Sequence, residues 1–431
     1  MLFKNITIID ENFNVQKNRF VATDGDVISY IGTSLPQGDF GEIYDGNNKL
    51  LIPAFYDAHS HLPMFLMRGY GENLPLMDWL CGKIFPFEAH WDEESMYYST
   101  LAGIAEMLRY GIADTTEMYL SHEPLGRAYY ESGAKTTFSV CCLENSDVDF
   151  RTTALYKDTV DAINKYDGLD GGRIRVQFSL HAEYTTSEKI TKTLAQAAAE
   201  HNSSIHVHVS ETAGEVADCK ERHRKSPVKY LADCGIFDVP TVAAHCVHID
   251  DDDIQILKNH NVTVATCPKG NAKLSSGICP VTKLISSGVN VAIGTDSVAS
   301  NNNLNMIEEM RFFNLLQKAS TFDPTVVTPA QTLYAATRAG ALGAGREDCG
   351  FIKEGFKADL CVLDIDKPYM KPEYNLLNNL IYSASGNDVV LTMVDGKVLY
   401  KNGVYTTLDT EKIYYECEKA KNRILGEING K

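Results

Sequence analysis

From residue 51 to about residue 300 the chain repeats one unit: a short apolar run rich in β-branched residues, a turn, then a segment with apolar residues every three or four positions. Eight such runs stand in order: LIPAFYDA, GIADTTEMY, AKTTFSVCC, RIRVQFSLH, SSIHVHVS, PTVAAHC, VTVATC and VNVAIGTD. Bounded mostly by Gly, Pro or polar turns, they read as strands. The stretches MYYSTLAGIAEMLRYG, SEKITKTLAQAAAEH, DDDIQILKNH and NLNMIEEMRFFNLLQ between them read as amphipathic helices. After the eighth run, Thr328-Pro329 starts a further helix with an N-cap and a first-turn proline. Strict alternation of strand and helix argues for parallel β/α units and not for a sandwich. The expected fold class is therefore α/β, a (β/α)8 TIM-type barrel, and its usual size of about 250 residues fits residues 51–350.

The ends of the chain follow another pattern. NITIID, FVATD and VISYIG alternate as short strands across the turns Asp10-Glu11-Asn12 and Asp24-Gly25, and DLCVLDID, VVLTMVDGKVLY and KNGVY repeat that habit with Asp395-Gly396 and Asn402-Gly403. Residues 1–50 and 351–431 are expected to form one small β-sandwich domain, completed by a terminal helix.

A net charge of −17 opposes binding to a polyanion, so nucleic acid is not an expected partner. The start, MLFKNITIIDENF, has no cleavage-site pattern, and no apolar run approaches the roughly 20 residues of a membrane span. A cytoplasmic protein without membrane contact is expected. Eleven cysteines without CxxC spacing read as reduced, mostly buried thiols.

Barrels of this kind carry their chemistry at the C-terminal ends of the strands. Asp57-Ala58-His59-Ser60-His61 closes the first run, and residues two apart in a strand point the same way. His208 ends the fifth run, His245 the sixth and Asp296 the eighth. Four strands thus deliver potential metal ligands or acid-base groups to one face.

The segments LIPAFYDAHSHLPMFLMRGYGENLPLMDWL, IHVHVSET, AAHCVHI, GTDSVASNNNLNMIEEMR and ATRAGALG with FIKEGFKADLCVLD resemble the amidohydrolase superfamily, and within it the S-adenosylhomocysteine/5′-methylthioadenosine deaminase branch. The resemblance implies that His59, His61, His208 and Asp296 hold one divalent metal, with zinc expected first and iron, manganese or nickel as alternatives. It implies acid-base and polarising roles for Glu211 and His245, with Asp296 taking a proton from water. His181 and Glu211 are expected to touch substrate, Glu88 in KIFPFEAHW to bind ribose hydroxyls, and Trp79 in MDWL to supply an apolar wall. Two-metal members carry a modified lysine after the fourth strand, whereas RIRVQFSLHAEY offers His181 there, so one metal is expected. Members that accept S-adenosylhomocysteine carry arginines near the third strand. Cys141-Cys142 stands there in this chain, with Arg151 as a possible substitute, which turns the expectation toward neutral 5′-substituted adenosines.

His206 shares the face of His208 one layer deeper and reads as packing, while His248 receives no assignment and Cys246 reads as a buried thiol. The leading expectation is hydrolytic deamination of an adenine nucleoside, such as 5′-methylthioadenosine, 5′-deoxyadenosine, adenosine or S-adenosylhomocysteine. One alternative is a relative acting on guanine, a pterin or a triazine, and another is a non-catalytic barrel scaffold. The partner is expected to be a small aminated heterocycle or nucleoside, in a homo-oligomer.

Overall fold

The computed structural model describes residues 1–430. Five strands open the chain: β1 (Leu2–Ile9), β2 (Val15–Asp24), β3 (Val27–Gly32), β4 (Ile43–Asp45) and β5 (Lys49–Pro53). Eight more follow the predicted rhythm: β6 (Phe55–Ser60), β7 (Ile112–Tyr119), β8 (Lys135–Cys142), β9 (Ile174–Leu180), β10 (Ile205–Val209), β11 (Thr241–His245), β12 (Thr263–Thr266) and β13 (Asn290–Ile293). The last four are β14 (Leu360–Asp364), β15 (Val389–Val394), β16 (Lys397–Lys401) and β17 (Val404–Tyr405).

Strands β6 to β13 pair in chain order, every pair parallel. Parallel neighbours require long crossovers, and the predicted helices supply them. Glu93–Arg109 is capped by Asp92, Glu188–Glu200 by Ser187 and Asp251–Asn259 by Asp250, each cap accepting a backbone N–H that the helix cannot satisfy itself. Thr328 caps Pro329–Ala336 in the same way. β7 and β8 are buried along their whole length, as expected of strands covered on both faces. The ring closes where β13 returns to β6: the Asp296 N–H donates to the His59 carbonyl at 2.9 Å, and the Thr295 N–H to Asp57 Oδ1 at 2.8 Å. Gly294 permits this approach, since a Cβ there would stand 2.8 Å from His59 Cβ.

The two chain ends do pair, in one nine-stranded mixed sheet ordered β17-β16-β15-β14-β5-β1-β2-β3, with β4 beside β1. Side-chain alternation gives this sheet two apolar faces. Leu51, Leu360, Val362 and Leu391 join Phe3, Ile6 and Ile8 in the sheet's own core, whereas Leu50, Ile52, Cys361 and Leu363 belong to the core shared with the barrel. The predicted run LIPAFYDA is consequently two strands. Residues up to Pro53 pair with β14, and the chain crosses at Ala54 to begin the barrel at Phe55.

A buried ion cluster ties the barrel to the sheet. Lys135, at the start of β8 and 1% exposed, donates to Asp359 Oδ2 at 2.5 Å and to Asp395 Oδ1 at 2.8 Å, and the Tyr56 hydroxyl also donates to Asp359. The terminal helix Thr410–Ile428 lies on Glu93–Arg109, held by an Arg423–Asp92 ion pair of 2.8 Å. Among the described residues no helix is long and apolar enough to cross a membrane.

Candidate active site

The four strand ends singled out in the sequence meet at one point. His61 Nε2 lies 3.3 Å from His208 Nε2, and Asp296 Oδ1 lies 3.7 Å from His59 Nε2 and 3.6 Å from His61 Nε2. Nitrogen and oxygen ligands held 2.0–2.2 Å from a zinc ion stand roughly 3.3–3.6 Å apart in a tetrahedron, so these spacings suit a shared ion. The ring orientations agree. His61 Nδ1 donates to the Met118 carbonyl and His208 Nδ1 to the His181 carbonyl, both at 2.7 Å, so each Nε2 lone pair turns inward. His59 Nε2 is buried without any hydrogen-bond partner, a cost that a bound cation would remove. Burial and the neighbouring imidazoles hold His59 and His208 well below the usual histidine range, and burial likewise lowers His61 against the pull of Asp296. Neutral rings are the form that binds metal.

Strand ends aim these groups through unusual backbone. His245 (φ 69°) and Asp296 (φ 59°) occupy the left-handed region, which non-glycine residues seldom adopt outside constrained sites. Ser300 Oγ donates to Asp296 Oδ2 at 2.7 Å, leaving Oδ1 toward the imidazoles.

Glu211 and His245 flank the cluster. Glu211 Oε2 is 3.8 Å from His245 Nε2, Ser276 Oγ donates to Glu211 Oε1 at 3.2 Å, and His245 Nδ1 is held by Asn271 Oδ1 at 2.9 Å. Burial raises the Glu211 carboxyl above its ordinary range despite the nearby imidazole, so it can carry a proton closer to neutral pH. For His245 burial works downward, but the Glu211 and Asp296 carboxylates outweigh it and the net shift is upward. The turn carrying Glu211 is clamped by Glu215, whose carboxylate accepts the Ser210 N–H at 2.8 Å and the Glu211 N–H at 2.7 Å. The sequence reading missed Glu215, although Thr212 and Glu215 have the Thr-x-x-Glu spacing of a capping box and form one.

A cavity of about 310 Å³ opens beside this cluster. Trp79, His181 and Glu88, all proposed from the sequence, line it together with Glu211, His245 and Asp296. Leu76, Leu80, Ile84, Phe85, Met64 and Leu120 make most of the remainder apolar. Burial takes His181 down to about 3, hence neutral, with Nδ1 3.2 Å from Thr185 Oγ1. Glu88 accepts the Tyr119 hydroxyl at 2.8 Å, and Tyr119 in turn accepts Trp91 Nε1–H at 3.0 Å. Burial raises Glu88 to about 7 even though the Tyr119 bond favours its charged form. Tyr119 and Trp91 had no signal in the sequence, because nothing in their spacing ties them to Glu88.

The lesser candidates separate cleanly. Arg151 does not line the cavity; its guanidinium is held by Glu200 at 2.7 Å and Asp149 at 3.2 Å. Among the described residues no Lys or Arg lines the cavity, and Cys141 does. His248 Nε2 donates to the Ser276 carbonyl at 2.6 Å, and the buried Cys246 thiol is pushed well up by burial. Among the described residues both groupings of possible metal ligands draw on this one cluster, His59 with His208 and His245, and His59 with His61 and Asp296.

A cluster able to bind a cation, with a buried carboxyl beside it at the C-terminal mouth of a (β/α)8 barrel, defines a metal-dependent hydrolase. More narrowly, the chain belongs to the amidohydrolase family, whose sequence profile matches residues 50–399. It is 40% identical over 432 residues to a 5-methylthioadenosine/S-adenosylhomocysteine deaminase of Caldanaerobacter subterraneus, covering 100% of both chains. It is 37% identical to a 5′-deoxyadenosine deaminase of Methanocaldococcus jannaschii over 94% of this chain and 96% of that one. The crystal structure of an adenosine deaminase from Xanthomonas campestris with bound zinc superposes with a TM-score of 0.90, at 30% identity and 98% coverage of each chain.

Proposed function

We propose that this protein is a hydrolytic deaminase of adenine nucleosides that works with one divalent metal ion, zinc being the ion in its Xanthomonas neighbour. The observation that carries the reading is that Glu211 and His245, 3.8 Å apart, line one largely apolar cavity together with His61, His208 and Asp296 of the metal-competent cluster and with Glu88.

His59, His61, His208 and Asp296 would hold the ion, which supplies Lewis acidity that makes water nucleophilic near neutral pH. Asp296 takes a proton from that water as its oxygen adds to the amine-bearing ring carbon. Glu211, its carboxyl raised above the ordinary range by burial, donates a proton to the adjacent ring nitrogen, so that no anion builds up there. His245, fixed by Asn271, orients the water. Asp296 then returns its proton to the amino group, the carbon–nitrogen bond breaks, and ammonia leaves while the added hydroxyl passes its proton back to Glu211 and becomes the carbonyl of an inosine-type product. Glu88 accepts hydrogen bonds from the ribose hydroxyls, His181 contacts the nucleoside, and Trp79 forms an apolar wall beside it. With the carboxyl groups of Glu88, Glu211 and Asp296 on its lining and, among the described residues, no Lys or Arg there, the cavity favours an uncharged 5′ group.

The reading includes a cytoplasmic location, supported by eleven unpaired cysteines of which only Cys81 is exposed, and a homo-oligomer. Residues 1–50 and 351–431 would act as one domain beside the 51–350 barrel, a division favoured by the shared sheet. The test is ammonia release from adenosine, 5′-deoxyadenosine, 5′-methylthioadenosine, S-adenosylhomocysteine, guanine and a triazine. Turnover of the adenosines supports the reading. Turnover of guanine or the triazine alone overturns it.

A further inference from the structure

The three imidazoles of the cluster are braced differently. His61 and His208 give their Nδ1 protons to main-chain carbonyls. His59 is instead braced by a side chain: its Nδ1 lies 2.8 Å from His206 Nε2, with the two rings perpendicular at 89° and both 0% exposed. His206 stands two residues before His208 on β10, on the same face of the strand, so one strand delivers both a ligand and the brace of another ligand.

His206 does not behave as packing. Its remaining nitrogen, Nδ1, is buried and has no partner. An orphaned polar atom in a fully buried ring is a cost that Leu or Phe would avoid. With His59 Nε2 facing the cluster, the His59 proton must sit on Nδ1, and His206 Nε2 is the acceptor that fixes it there.

We propose that His206 is a positioning residue for the metal site: it accepts the His59 Nδ1 proton and so fixes the tautomer and ring plane with which His59 presents Nε2. The inference rests on the reading of His59 as a metal ligand. Among the three braces it is the one that a substitution can remove, since the other two are backbone.

The test compares wild type with His206→Phe, which keeps a ring and removes the acceptor, and His206→Gln, whose amide oxygen reaches toward the position of Nε2. Zinc affinity is measured by competition with a chromophoric chelator, and ligand geometry by the visible spectrum after cobalt(II) substitution. Circular dichroism of the metal-stripped proteins checks the fold. The expected result is zinc binding weakened about 10- to 100-fold in His206→Phe with an altered cobalt spectrum, and recovery of most of the affinity in His206→Gln. His206→Met replaces the Phe variant should that one fail to fold. Wild-type affinity and spectrum in the folded Phe or Met variant overturn the proposal. A wild-type protein that binds no zinc instead removes the ligand reading on which the proposal stands, so the two failures are distinct.

Discussion

Replacing Tyr119 with Phe tests how the substrate end of the cavity is built. The hydroxyl donates to Glu88 Oε1 at 2.8 Å, a bond that stabilises the carboxylate of a group already raised by burial to about 7. A hydrogen bond to a charged group contributes about 1.5–3 kcal/mol, and one pKa unit is about 1.4 kcal/mol, so its loss should raise Glu88 by about one to two units. Because the acceptor is the ionised form, it is present above the folded-state pKa and lost as pH falls through it. At pH 7 the ionised fraction drops from about a half to between a tenth and a hundredth, and KM for an adenine nucleoside should rise about 5- to 50-fold. Near pH 9 the two proteins should converge to within about twofold, and kcat should hold throughout, since Glu88 touches no reacting atom. Steady-state kinetics from pH 6 to 9 measure this. An unchanged KM profile, or a loss confined to kcat, would refute the assignment of Glu88 to the nucleoside and of Tyr119 to its support.

Three further outcomes follow from the geometry. Glu211→Gln should lower kcat about 10²- to 10⁴-fold while zinc content, read by elemental analysis, stays at the wild-type level. An adenosine carrying a carboxylate at the end of its 5′ chain should show kcat/KM at least about 100-fold below that of an uncharged chain of equal length, because among the described residues no Lys or Arg lines the cavity. Lys135→Met should destabilise the fold by about 3–5 kcal/mol in urea denaturation, since it strands Asp359 in the interface between barrel and sheet.

Much of this was legible in the sequence because it is periodic. The eight barrel strands show as β-branched runs, and the rule that chemistry gathers at strand ends selects His59, His61, His208, His245 and Asp296, which the fold brings together. What escaped has no period. Tyr119, Asn271 and Ser276 reach Glu88, His245 and Glu211 from other elements, and only the closed barrel sets those distances. The 2.8 Å contact between His206 Nε2 and His59 Nδ1 has no signal in the sequence either, because strand alternation reports which way a ring points and not what its nitrogens meet. The run LIPAFYDA looked like one strand because apolarity continues through Ala54, although its two halves pair with different sheets.

The proposed function makes adenine-nucleoside deamination depend on one divalent ion in this cluster. It is tested most directly by stripping the protein of metal and titrating zinc back while following inosine-type product. Activity should be absent in the stripped protein and reach its plateau at one zinc per chain. Full turnover without metal, or a plateau that requires a second ion, would contradict the account.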